Sequence, residues 1–163
     1  MDKPATDRRE SLFNQYKLYV ELADKVSERR SKTNQFYISI ISGLLAIMAF
    51  LIKESDNSIL KNHLIWVLIA VCFLGLVLNV LWLFNIRSYR QLNSGKFKVI
   101  HEMEQALPFP CYEREWKFLS EGRDPKRYFQ LTRVEKFLPM VLMVPNTFLL
   151  VYFLIQVIQL KLS

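Results

Sequence analysis

Three apolar runs divide the chain: Phe36 to Ile52, Leu64 to Phe84 and Phe137 to Leu160. The middle run, LIWVLIAVCFLGLVLNVLWLF, has 21 residues and no charge, enough helix to cross a bilayer core about 30 Å thick. It passes without a turn signal into NIRSYRQLNSGKFKVIHEME, which keeps helical spacing but is strongly basic. One helix is therefore expected to leave the membrane and continue into water. Trp66 and Trp82 stand near the ends of the run, where amphipathic rings favour the headgroup level. The first run is shorter, about 26 Å at 1.5 Å per residue, and the helix ahead of it can lengthen it. In the third run Pro139 and Pro145 remove backbone donors and predict a kink. Asn146, Thr147 and Gln156 stand where they can satisfy the freed groups or bond to adjacent helices.

The polar stretches carry their own periodicity. Residues 1–10 (MDKPATDRRE) predict a frayed, disordered tail, and from Ser11 a helix over 11–35 is expected. Leu12, Tyr16, Tyr19, Ala23 and Val26 follow at spacings of four and three, a heptad-like seam that suits packing on this chain or on a neighbouring subunit. Lys25, Arg29, Arg30 and Lys32 form a basic collar before membrane helix 36–52. Within that helix Ser39, Ser42, Gly43, Ala46 and Ala49 make a stripe of small residues. Such a stripe lets two helix backbones approach in lipid, and packing within the subunit is the preferred expectation over packing between subunits. A turn over 53–63 leads to the second membrane helix, 64–86. The region 87–136 is expected to be mostly helical. Gly95 weakens it and allows a bend, Leu107-Pro108-Phe109-Pro110 ends the helix, and Tyr112, Trp116 and Leu119 mark a short amphipathic helix. Gly122 and Asp124-Pro125 mark a turn. Thr132 and Glu135 have capping-box spacing just before membrane helix 137–160, with 161–163 as a tail.

Charge gives this pattern a direction. The chain of 163 residues carries a net +7 with 52% hydrophobic residues, the hydrophobic ones gathered in blocks as in a small membrane protein. Region 87–136 has eleven Lys/Arg against seven Asp/Glu, and the first 35 residues have eight against six. Basic residues near membrane ends mark the cytoplasmic side, so the N-terminus is expected inside and the tail outside. No removable secretory signal is expected, because a long charged segment precedes the first apolar run.

Candidate chemistry is sparse. The membrane runs hold no ionisable group of the kind proton relays and coupled transporters use. Asn79, Asn85 and Asn146 are the polar candidates there, for structural hydrogen bonds or, in a ring of subunits, a pore constriction. His101 with Glu102 and Glu104 offers too few ligands for a metal site and reads as a solvated helix face. Cys72 and Cys111 are not expected to meet, and Cys111 has no nucleophile signature. No phosphate-cradling glycine loop or serine elbow occurs, so neither an enzyme nor a cofactor is expected. The basic set Arg87, Arg90, Lys96 and Lys98 suits lipid headgroups, or an anion or nucleotide whose base Tyr89 and Phe97 could stack. Interrupting acids argue against nucleic acid.

KLYVELADKVSERRSKTNQFY (Lys17–Tyr37) and RSYRQLNSGKFKVIHEMEQALP (Arg87–Pro108), with the runs around them, resemble the RipA-family octameric membrane proteins of bacteria. More distantly, a basic helix leading into paired spans is similar to SLATT membrane effectors. The resemblance implies a homo-octamer in the bacterial inner membrane with no established catalysis, contacting lipids and copies of itself. The expectation is thus an all-α integral membrane protein with three transmembrane helices and a cytoplasmic helical layer, acting as a scaffold or pore-like assembly. The alternative is an effector whose basic cytoplasmic face binds an anionic or nucleotide signal and changes membrane permeability.

Overall fold

The structure, a computed structural model, describes residues 3–53, 58–124, 126–128 and 131–162. Helix α1 runs over Lys3–Lys53, α2 over Ser58–Glu104, α3 over Cys111–Phe118 and α4 over Leu131–Leu162. No strand occurs among the described residues, and α1, α2 and α4 are each long and apolar enough to cross a membrane. The all-α class with three membrane-length helices is what the structure shows.

Several boundaries differ from the sequence expectation. The N-terminal stretch is helical from Lys3 rather than frayed, with Pro4 in the first turn, where a missing N–H removes no intrahelical bond. Helix α1 continues unbroken into its apolar half. Helix α2 likewise passes through Gly95 without interruption. The expected turn over 53–63 is narrower, since α1 ends at Lys53 and α2 begins at Ser58, and residues 54–57 lie outside the described residues. Pro139 and Pro145 both lie inside α4. Asn146 and Thr147 donate to Leu142 O (3.0 Å) and Met143 O (2.9 Å), each four residues back. The carbonyl that Pro145 leaves without its donor belongs to Val141, so these two side chains reinforce neighbouring turns rather than filling that gap. Gln156 donates to the Tyr152 hydroxyl (2.8 Å).

The chain divides into two compact units, Met1–Ser31 with Arg87–Arg133 and Lys32–Ile86 with Val134–Ser163. In the second unit, Met48, Ile65, Leu68, Cys72 and Phe153 form one buried cluster, and Tyr37, Ile41, Trp82 and Ile86 form another. Large apolar side chains cover its outside, as expected of helices whose surroundings are as apolar as their core. In the first unit Ala23, Val26, Ile100 and Glu104 are buried. Two backbone hydrogen bonds, Ala106 N–H to Met103 O and Leu107 N–H to Glu104 O, close the end of α2 ahead of Pro108. After α3 a tight turn places Ser120, Glu121 and Gly122 at φ 53°, 54° and 70°. Only Gly122 takes that left-handed region without steric cost.

Candidate functional site

The apolar unit is closed by a polar lock. Asn34 uses both ends of its amide: Oδ1 accepts from Trp82 Nε1 (2.8 Å), and Nδ2 donates to Glu135 Oε1 (3.0 Å). One side chain of α1 therefore ties α2 to α4. Tyr37, one turn on, stacks on Trp82 with ring centroids 5.7 Å apart and planes 8° from parallel, and its hydroxyl accepts from Asn85 Nδ2 (2.8 Å). Trp82 is 1% exposed, so it is a core residue and not a headgroup anchor. Trp66, on the outward face, is exposed. Glu135 thus reaches toward α1. Thr132 lies one residue inside α4, where its hydroxyl accepts from Arg30 Nη2 (2.9 Å).

Asn79 and Asn146 lie within the same unit, 0% and 1% exposed. Asn79 Nδ2 donates to Gly75 O (2.9 Å), and its Oδ1 is buried without a hydrogen-bond partner. A Cβ built on Gly75 would stand 2.8 Å from Asn146 Oδ1, so a glycine is what lets α2 and α4 approach there. Asn79 and Asn146 are thus enclosed between helices of one subunit, and Asn85 donates to Tyr37.

The small-residue stripe is placed the other way. Ser39, Ser42, Gly43, Ala46 and Ala49 are all exposed, and a Cβ on Gly43 would meet nothing within 4 Å. Packing within the subunit, the preferred expectation, is thus corrected: α1 turns Tyr37, Ile41 and Met48 inward and leaves the stripe on the outside. The remaining exposed side chains of the spans are apolar except for Thr147, Tyr152 and Gln159.

In the polar unit the seam turns inward on its own chain. Ala23 and Val26 are buried, Leu12 and Tyr16 half-buried, and Lys96 Nζ stands 5.3 Å from the Tyr19 ring centroid. Glu104, read from sequence as solvated, is 1% exposed. Its Oε1 accepts from the Tyr16 hydroxyl (3.0 Å) and the Tyr112 N–H (2.8 Å), and its Oε2 accepts from the Glu113 N–H (3.0 Å). Pro110 offers α3 no side-chain cap, and a carboxylate from α2 takes that role at the positive end of the helix dipole. Burial, then the bond to Glu104, pushes the Tyr16 phenol well above its usual range. The Glu113 carboxyl is held below its usual range by Lys117.

The four basic candidates are spread over about three turns of α2. Lys96 faces Tyr19, while Arg87 and Lys98 share the other side of α2 about 16 Å apart at 1.5 Å per residue. Phe97 is engaged edge-to-face by Tyr112 (5.6 Å) and is not a free stacking platform. No cluster of metal-ligating side chains occurs among the described residues.

A family model described as the octameric membrane protein family (8xMP) matches residues 13–155. The chain belongs to the octameric membrane protein family. That match spans all four helices, so the polar lock, the outward stripe and the Glu104 cap all lie within the 8xMP region. No curated protein and no solved structure matches the chain.

Proposed function

We propose that this 8xMP chain is a non-enzymatic subunit of a homo-oligomeric membrane scaffold, octameric as its family is described. We place it in the bacterial inner membrane with the N-terminus cytoplasmic, the orientation favoured by the Lys/Arg excess in the two polar regions. The observation that carries the reading is the outward stripe of Ser39, Ser42, Gly43, Ala46 and Ala49. In lipid, burying Leu or Phe gives helices little reason to associate, whereas small residues let backbones come within van der Waals reach. A closed ring needs a heterologous contact, in which this face of one copy meets a different face of the next. A scaffold is favoured over a conducting pore because Asn79 and Asn146 are buried inside the subunit, Asn85 bonds to Tyr37 and the outward faces are largely apolar.

The test is a photo-crosslinking side chain placed at Ala46 in membranes, which captures whatever neighbour is present. Crosslinks to a second copy, with no ion flux from reconstituted liposomes, are expected. Crosslinks to lipid alone would overturn the interface, and ion flux would replace the scaffold with a pore.

A further inference from the structure

Helix α3 turns aromatic rings and a guanidinium outward. None of its residues is buried, and Phe118 at its end is 75% exposed. Arg114 stands one turn before Phe118, and its guanidinium carbon lies 4.8 Å from the ring centroid of Phe109, itself 53% exposed. Phe109, Arg114 and Phe118 thus make one continuous surface of side chains enriched at protein interfaces.

Helix α1 carries a second surface of different character. Tyr16, Lys17, Val20 and Glu21 border a groove whose other wall is α3. Asp7, Glu10, Ser11, Asn14, Gln15 and Leu18 line a separate shallow hollow and are all exposed. At 3.6 residues per turn, that hollow lies about 120° around α1 from the side next to α3. Its two charged members are both acidic, and Leu18 gives it an apolar end. The polar unit therefore shows two unlike faces, one aromatic with an arginine, the other acidic with a leucine.

Lipid does not account for either face. Leu18 precedes Phe36 by 18 residues of unbroken helix, and Glu104, which caps α3, follows Phe84 by 20. Those lengths are about 27 and 30 Å, whereas headgroups add only about 5–8 Å to each side of a bilayer core. A second copy does account for both. The family is described as octameric, and a closed ring joins two different faces of each copy.

We propose that Phe109, Arg114 and Phe118 of one copy dock on the Asp7–Leu18 hollow of the next, so that the polar units also close the ring. Arg114 meets the acidic rim of Asp7 and Glu10, and the rings cover Leu18. This surface rests on the homo-oligomer reading above and lies apart from the stripe on α1.

The test places benzoylphenylalanine at position 118 of the full chain, in membranes holding isotopically labelled and unlabelled copies. Mass spectrometry of the crosslinked peptides is expected to join residue 118 of one copy to residues 7–18 of another. Arg114→Glu should lower that yield about fivefold, as exposed ion pairs are worth up to about 1 kcal/mol, and Asp7→Arg with Glu10→Arg added to it should restore the yield. An adduct on lipid, on another protein or elsewhere in the chain, or a yield unmoved by Arg114→Glu, would overturn the surface. Ala46 carrying the same probe separates the two readings. Copy-to-copy crosslinks from Ala46 with none from position 118 would overturn this surface alone, and silence at both would remove the oligomer as well.

Discussion

The two units share α1 and α2 yet solve opposite problems. The apolar unit hides its polar groups: Asn34, Asn79, Asn85 and Asn146 each bond inside it, while Phe, Leu, Val and Ile cover its surface. The polar unit hides a carboxylate, Glu104, and partly hides Arg30, while most of its other charged groups are exposed. One inward spacing of three and four serves both along α1, from Tyr16 to Met48. What changes is the polar group that links the helices: the amides of Asn34 and Asn85 in the first case, a buried carboxylate and its donors in the second. Bonded polar groups tie helices together in both, Asn34 in the apolar unit and Glu104 in the polar one.

That comparison can be broken one residue at a time. Trp82→Ala removes a stacked ring and the donor to Asn34, and should cost the apolar unit about 3–5 kcal/mol, read by unfolding in detergent or by steric trapping. Glu104→Ala should cost the polar unit about 2–3 kcal/mol, since the Tyr16 hydroxyl and two α3 amides lose their acceptor. Hydrogen exchange should rise in residues 111–118 while amides of the apolar unit stay protected; a rise everywhere would mean that the two regions do not separate energetically.

Glycines sharpen the contrast. Gly75→Ala should destabilise by about 1–3 kcal/mol, because its methyl meets the buried Asn146 amide. Gly95→Ala should stabilise by about 1 kcal/mol, because nothing lies within 4 Å and alanine is the better helix former. Matching signs in thermal unfolding would contradict the packing described. The smallest effect concerns pH. The Tyr16 pKa is raised on folding, so the folded state holds that proton more tightly. Stability from this group is present below the unfolded value of about 10 and falls as pH rises above it. Tyr16→Phe should flatten the stability profile above pH ~10, and an unchanged slope would remove Tyr16 as its source.

Three apolar runs, a proline-marked end after Leu107 and a charge excess carried most of the architecture in plain view. Which face of each run turns inward was harder to read. Hydropathy does not separate Trp82 from Trp66 when almost every neighbour is apolar. The seam identified over Leu12–Val26 held the missing signal: continued at the same spacing, it passes through Arg30, Tyr37, Ile41 and Met48, and so leaves the small residues outside. The spacing of Thr132 and Glu135 suits a capping pair, and it gave no sign that both side chains accept from α1. Asn34 and Glu104 carried no local mark, since their partners are 48 to 101 and up to 88 residues away.

The most direct test is native mass spectrometry of the chain in mild detergent, wild type beside Gly43→Leu. Eight copies in the wild type, and fewer in a variant whose subunits still fold, are what a self-assembling scaffold packed through the outward face of α1 predicts. A wild type that stays monomeric across several detergents, or a Gly43→Leu variant that still forms eight, would contradict it.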